Sequence, residues 1–261
     1  MHTFFLLYPL LGLFSGFLAG LLGIGGGLVI VPCLLVLFPH QGLRAAVITH
    51  SAIATSLATV LVTSIIASFS HHRHGTVEWS IFKKMAPGLL SGAIAGAIIT
   101  TYLPGEILRV IFGLFALAIA MQMALGLQPP AHGYIPGTSG LSAISLGIGL
   151  TSALVGIGGG IMTVPFLRWS NVIMNRAVAT SSACGFPIAA GACIGFSLVS
   201  KIDPGGLFVN NAIYWPAAIG IALASVVAVP FGAYLTHRIN TLVLTRIFAL
   251  ALAFVGLRLL F

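Results

Sequence analysis

The residues best placed to do chemistry in this sequence are two strings of glycine. Gly23-Ile24-Gly25-Gly26-Gly27-Leu28-Val29-Ile30-Val31-Pro32 recurs as Gly156-Ile157-Gly158-Gly159-Gly160-Ile161-Met162-Thr163-Val164-Pro165, displaced by 133 positions and identical at seven of ten. Each glycine inside a helix costs about 0.8–1 kcal/mol relative to alanine. A packing stripe needs small residues only at every fourth position, whereas three in a row cover most of a turn. Gly25, Gly26 and Gly27, with Gly158, Gly159 and Gly160, are therefore predicted to break their helices. A break in an apolar segment uncovers backbone N–H groups and the positive end of the following half-helix, which binds an anion without any basic side chain. Paired breaks in matching places mark a substrate site between two halves of a transporter.

A second element follows each string. Ala46-Val47-Ile48-Thr49-His50-Ser51-Ala52 pairs with Ala177-Val178-Ala179-Thr180-Ser181-Ser182-Ala183 at a displacement of 131, each just after an arginine, Arg44 or Arg176. The hydroxyls of Thr49, Ser51, Thr180 and Ser182 either donate to an oxyanion or bond back to their own helix. Arg44 and Arg176 are either interfacial anchors or inward-facing donors to an anion. His50 has serine as its counterpart, so it is either a packing histidine or a proton carrier without a twin.

Other chemistries lack residues. The only acidic groups are Glu78, Glu106 and Asp203, too few for paired carboxylates or a cage for a hard cation. Cys33, Cys184 and Cys193 show no metal-binding spacing and lie in apolar segments, as small buried hydrophobes do. His71-His72-Arg73-His74 has no acidic or cysteine companion and reads as a solvated loop. No nucleophile–base pair stands in the apolar segments, so the chain is not expected to be an enzyme, and neither metal nor cofactor is expected.

The elements that must position these residues are membrane helices. Hydrophobic residues are 59% and charged residues 5%, with a mean hydropathy of +1.14, where soluble domains carry about 25% charged residues. The net charge of +8 is spread along the chain with no run longer than Lys83-Lys84, which fits membrane-flanking positives and excludes a nucleic-acid surface. The apolar N-terminus has no basic leader region and is expected to stay as the first membrane segment. Two homologous halves are expected, 1–128 and 138–261, joined by a turn-rich linker at 129–137. Glu78-Trp79 answers to Tyr214-Trp215 and Gly96-Ala97 to Gly232-Ala233, at a displacement of 136. The expected fold is an all-α polytopic membrane protein of about eight transmembrane segments, four per half, at about 4–38, 44–69, 83–102, 106–126, 139–168, 176–200, 208–235 and 241–260, the first of each four broken at the glycines. The segment 4–38 would be about 52 Å long as one helix, against a hydrocarbon core of about 30 Å. Should its second part turn back, each half crosses an odd number of times and the halves are inverted. For a simple eight-span chain the basic residues divide five against six between the two sides, and the positive-inside rule gives no orientation.

These residues resemble a known family. The duplicated glycine string ending in Val31-Pro32 and Val164-Pro165, the Ala-Val-x-Thr-x-Ser element, Gly75-Thr76-Val77-Glu78-Trp79, Pro87-Gly88 with Gly92 and Gly96, and Tyr214-Trp215-Pro216 look like the TauE/SafE family of sulfite and organosulfonate exporters, in family order over nearly the whole chain. The resemblance implies a multi-pass transporter of the plasma membrane, built by duplication, with a small sulfur-containing anion and the lipid bilayer as its partners. It places the glycine stretches and the Thr/Ser elements among the functional positions. Export of a sulfite- or sulfonate-like anion is the expected activity, and proton-coupled uptake of an organosulfur anion is the alternative.

Overall fold

The computed structural model describes residues 2–23, 25–126, 134, 136–202, 212–235 and 242–260. Most of the expected linker lies outside them. The described residues form ten α-helices and one 3₁₀ turn: α1 (His2–Leu22), α2 (Gly27–Leu37), the 3₁₀ turn Pro39–Gln41, α3 (Ala45–Arg73), α4 (Trp79–Tyr102), α5 (Gly105–Ala124), α6 (Thr138–Val155), α7 (Gly160–Trp169), α8 (Met174–Ile202), α9 (Trp215–Leu235) and α10 (Leu242–Leu260). Six of them, α3, α4, α5, α6, α8 and α9, contain stretches long and apolar enough to cross a membrane. The expected first and fifth segments are each two helices, split where the glycines fall. The histidine tract belongs to α3 rather than to a loop, and His71 is fully buried while His72 and His74 are exposed. Four-residue spacing put His71 on the same buried face as Ala67.

The first helix turns back, one of the outcomes that the length of segment 4–38 allows. Gly26 lies beside the Ser15 carbonyl of α1, and Gln41, beyond α2, donates from its side-chain amide to the Tyr8 hydroxyl near the start of α1. Hence α2 runs antiparallel to α1 and returns to the face where α1 began, here called the first face.

Helix α3 leaves the first face and reaches the opposite, second face at Arg73. Helix α8 runs against it: Thr180, early in α8, bonds the backbone of Glu78 between the end of α3 and the start of α4, and Thr55, early in α3, bonds the backbone of Tyr214 just before the start of α9. These two 29-residue helices form the central antiparallel pair.

Close seams of small residues hold the outer helices to this centre, because lipid offers no hydrophobic drive between helices and close approach must supply the attraction. Gly12, Gly16 and Gly20, at four-residue spacing, lay α1 parallel to α9; a Cβ on Gly16 would stand 2.8 Å from the Cα of Ser225. Gly88, Gly92 and Gly96 do the same for α4 along α6, where a Cβ on Gly92 or Gly96 would run into the carbonyls of Leu146 and Leu150. Helix α5 runs antiparallel to α10, Gly113 facing Leu260 and Gly256 facing Leu117. Each of the first helices of the two broken pairs is thus seated on a helix elsewhere in the chain, α1 on α9 and α6 on α4.

Candidate functional site

At both breaks the backbone takes a conformation that only glycine adopts freely. The chain is left-handed at Gly23, Gly25 and Gly26 in the first break and at Gly156 and Gly159 in the second, with φ between 64° and 81°. Half-helices α2 and α7 then begin at Gly27 and Gly160, and no side-chain oxygen caps either of them. Part of each first turn is satisfied by the break itself, since the N–H groups of Gly27 and Val29 bond the carbonyls of Gly25 and Gly26 and that of Met162 bonds the Gly159 carbonyl.

The two breaks touch each other. A Cβ on Gly25 would lie 3.0 Å from the Cα of Gly158, and one on Gly158 would lie 3.3 Å from the Cα of Gly25. A Cβ on Gly27 would collide with the carbonyl oxygen of Gly156. The N-termini of two half-helices therefore converge on one point between α3 and α8.

Two serines brace the crossing from those helices. Ser56 Oγ donates to the Gly156 carbonyl at 2.8 Å, and Ser181 Oγ donates to the Gly23 carbonyl at 3.1 Å. One residue before each, Thr55 Oγ1 accepts from the Tyr214 N–H at 2.9 Å and Thr180 Oγ1 accepts from the Glu78 N–H at 3.0 Å. Beside the crossing lies a cavity of about 10 Å³, bounded by Gly23, Gly25 and Gly158, by Thr63 and Ser64 of α3, and by Ser181, Ser182 and Gly185 of α8. That is room for a single water, so an oxyanion enters only when the helices part. Further along α7, the Thr163 hydroxyl is fully buried with no hydrogen-bond partner among the described residues.

These contacts change the pairing expected from sequence. Equivalent bonds are made by Thr55 with Thr180 and Ser56 with Ser181, a displacement of 125, so the partner of Ala177–Ala183 in space is Ala52-Ile53-Ala54-Thr55-Ser56-Leu57-Ala58 and not Ala46–Ala52. Either pairing is identical at five of seven positions, so identity alone could not choose between them.

The candidate residues accordingly divide. Gly25, Gly26, Gly27, Gly158, Gly159, Gly160 and Ser182 gather at the breaks or the cavity, with Ser182 Oγ bonded back to the Val178 carbonyl at 3.0 Å. Thr180 sits one turn away and holds the loop backbone at Glu78. Thr49 and His50 face a different space, a large, mainly apolar cavity between α1–α2 and α5–α10, where His50 Nε2 bonds the Leu103 carbonyl at 3.0 Å. Ser51 is buried within α3. Arg44 is exposed at the start of α3, and Arg176, at the start of α8, pairs with Glu78; both stand at helix ends, away from the crossing. Sequence reasoning passed over Thr55, Ser56, Thr63, Ser64 and Gly185. The Ala-x-Ala-Thr-Ser string at 52–56 was the signal for the first two; the others are ordinary small helix residues that only packing singles out.

Ten helices among the described residues, six of them with stretches long and apolar enough to span a bilayer, arranged about two broken helices that meet inside the bundle, define a multi-pass membrane protein. The model of the family described as sulfite exporter TauE/SafE matches residues 8–259, and the chain belongs to that family of membrane transporters. A probable membrane transporter protein of Haemophilus influenzae is 33% identical over 261 residues, covering 98% of both chains. One from Methanocaldococcus jannaschii is 34% identical over 191 residues, 68% of each chain. The probable membrane transporter protein YunE of Bacillus subtilis is 24% identical over 279 residues, covering 98% of this chain and 97% of its own. No solved structure matches the chain.

Proposed function

We propose that the chain exports a small sulfur-containing oxyanion, sulfite, a sulfonate or a related organic anion, across the plasma membrane, and that the anion passes the point where the breaks meet. The observation that carries this reading is the convergence of two uncapped half-helix N-termini at Gly25 and Gly158. Each end carries roughly half a positive elementary charge, and in a site shielded from water such partial charges act far more strongly than at a surface. Attraction of this kind needs no basic residue, and the described arginines and lysines stand near helix ends. The hydroxyls of Ser182, Thr63 and Ser64, which in the structure donate to carbonyls of their own helices, would turn from those carbonyls to donate to the anion. Two inverted units of five helices, α1–α5 and α6–α10, account for the antiparallel central pair and for the matching bonds of Thr55 and Thr180.

Direction follows from charge. With the cell interior negative, each exported negative charge gains about 2.3 kcal/mol per 100 mV, so efflux needs no coupling ion. Coupled uptake through His50 draws no support from its position, since that ring bonds the Leu103 carbonyl near the start of α3 and faces a cavity other than the one at the breaks. The deciding experiment loads proteoliposomes with sulfite, taurine or sulfate and follows flux at a set membrane potential. Sulfite or taurine efflux that rises with the imposed potential, without a proton gradient, is the expected result. Flux that appears only with an inward proton gradient overturns the export reading.

A further inference from the structure

The bonds around the cavity are matched across the crossing, but the residues that line it are not. With the displacement of 125 set by Thr55/Thr180 and Ser56/Ser181, three residues lining the cavity, Thr63, Ser182 and Gly185, correspond to Ile188, Leu57 and Val60. All three of these are fully buried. Val60 presses on the second break from α3, where a Cβ on Gly158 would stand 2.8 Å from its Cγ1, and Ile188 presses from α8, its Cδ1 lying where a Cβ on Gly159 would go. Where the cavity wall has hydroxyls or no side chain, the corresponding positions carry three buried, branched aliphatic side chains, two of which, Val60 and Ile188, stand against the second break.

The open side looks toward the second face. Ala67 of the cavity wall lies on the second-face side of Thr63 along α3, whereas Leu57 and Val60 lie on its first-face side. The two faces also differ in charge. With the helix directions known, Arg73, Lys83, Lys84, Arg168 and Arg176 belong to the second face, and Arg44, Arg109 and Arg258 to the first, five against three among residues whose side chains are described. The even division expected for eight simple spans came from counting each broken segment as one crossing. Folding the first segment back on itself moves Arg44, Arg73, Lys83, Lys84 and Arg109 to the other side, and folding the second leaves Arg168, Arg176 and Arg258 where the simple count had them. Basic residues accumulate on the cytoplasmic side.

We propose that Leu57, Val60 and Ile188 form an apolar gate that closes the crossing toward the first face, and that the polar cavity at Thr63, Ser182 and Gly185 opens toward the cytoplasm as the loading side. This rests on the reading of the crossing as the transport site. It assigns the two sides of that site to different residues: small and hydroxylated toward the solute supply, branched and apolar toward the exit.

The test is thiol labelling of the full chain in membrane vesicles, with Cys33, Cys184 and Cys193 replaced by alanine and one thiol introduced by Ser182→Cys or, as a milder change, Ala67→Cys. The probe is a membrane-impermeant cationic methanethiosulfonate. Because a water-sized cavity admits it only as the helices part, labelling reports the face to which the cavity opens. Loss of the free thiol in inside-out vesicles, with retention in right-side-out ones, is the expected result for both variants. Adding Val60→Gly with Ile188→Thr is expected to make the Ser182→Cys thiol react from both sides. Labelling from the outside alone, from both sides with the gate intact, or from neither overturns the proposal. Labelling needs no transport, so these outcomes stand apart from the site reading itself, which fails if changes at Gly25 leave flux untouched.

Discussion

Replacing Gly25 and Gly42 by alanine in parallel separates strain from contact. Both residues are left-handed, with φ of 81° and 75°, and an L-residue held there costs about 1–2 kcal/mol. Around Gly42, in the turn before α3, nothing lies within 4 Å of a new Cβ, whereas at Gly25 the Cβ would sit 3.0 Å from the Cα of Gly158. That neighbour is backbone, with Val60 packed close to it, and cannot swing away as a side chain could. Overpacking of this kind costs about 1–3 kcal/mol, so Gly25→Ala should lose about 2–5 kcal/mol in all, and Gly42→Ala only the first part. The functional effect should divide more sharply than stability. Gly25→Ala pushes the two half-helix ends apart at the point where an anion would sit, while Gly42→Ala leaves them in place. Unfolding midpoints in detergent and sulfite or taurine flux in proteoliposomes, at matched protein per vesicle, measure the two effects. Equal flux from the two variants, or equal midpoints, would refute the claim that the contact between the breaks matters.

Ser56→Ala and Ser181→Ala each remove a donor from a break carbonyl, and leaving such a buried group unsatisfied costs about 1–3 kcal/mol; both should lower the unfolding midpoint and the flux, whereas Thr49→Ala, in the cavity lined by α5 and α10, should leave the affinity for the anion unchanged in a concentration series. Thr163→Val keeps shape while removing a hydroxyl without a protein partner, so the midpoint should hold or rise, and a fall in flux at constant midpoint would mark that hydroxyl as a solute contact. Arg176→Gln breaks the ion pair with Glu78, whose side chains are 53% and 31% exposed; exposed pairs contribute about 0–1 kcal/mol, so a small midpoint shift that shrinks further in high salt is expected. Ser182→Asp should abolish anion flux where Ser182→Ala only weakens it, with membrane insertion followed in both because a central aspartate costs about 2.5–3.5 kcal/mol to insert.

How much of this was legible in the sequence depended on whether a feature was local. The breaks were, because three adjacent glycines in an apolar helix have a cost that only a special backbone offsets, and the left-handed residues at Gly25, Gly26 and Gly159 are that backbone. The excess length of segment 4–38 was legible as arithmetic, since a 35-residue helix overshoots a bilayer, but that arithmetic raised the turn-back after Leu22 only as one alternative. The partner of Thr180 was not. Two strings six residues apart in one helix matched it equally well, and the choice was made by contacts to Gly156 and Tyr214, far away in sequence. The same holds for His50, placed by the Leu103 carbonyl at the end of α4, and for Val60 and Ile188, whose importance lies in what they press against.

The seating of α1 on α9 has a consequence for how the protein is made. The glycine face of α1 enters the membrane with its partner still unsynthesised, for α9 begins about 190 residues after α1 ends, a wait of roughly 10–40 s at ordinary translation rates of about 5–20 residues per second. Helix α4 waits less, since α6 follows after one intervening helix. During that interval the notched surface of Gly12, Gly16 and Gly20 has only lipid tails against it, which cannot fill it as the α9 backbone does. The N-terminal five helices are then an unfinished object, complete only when the second set arrives, and late maturation is built into the order of the chain.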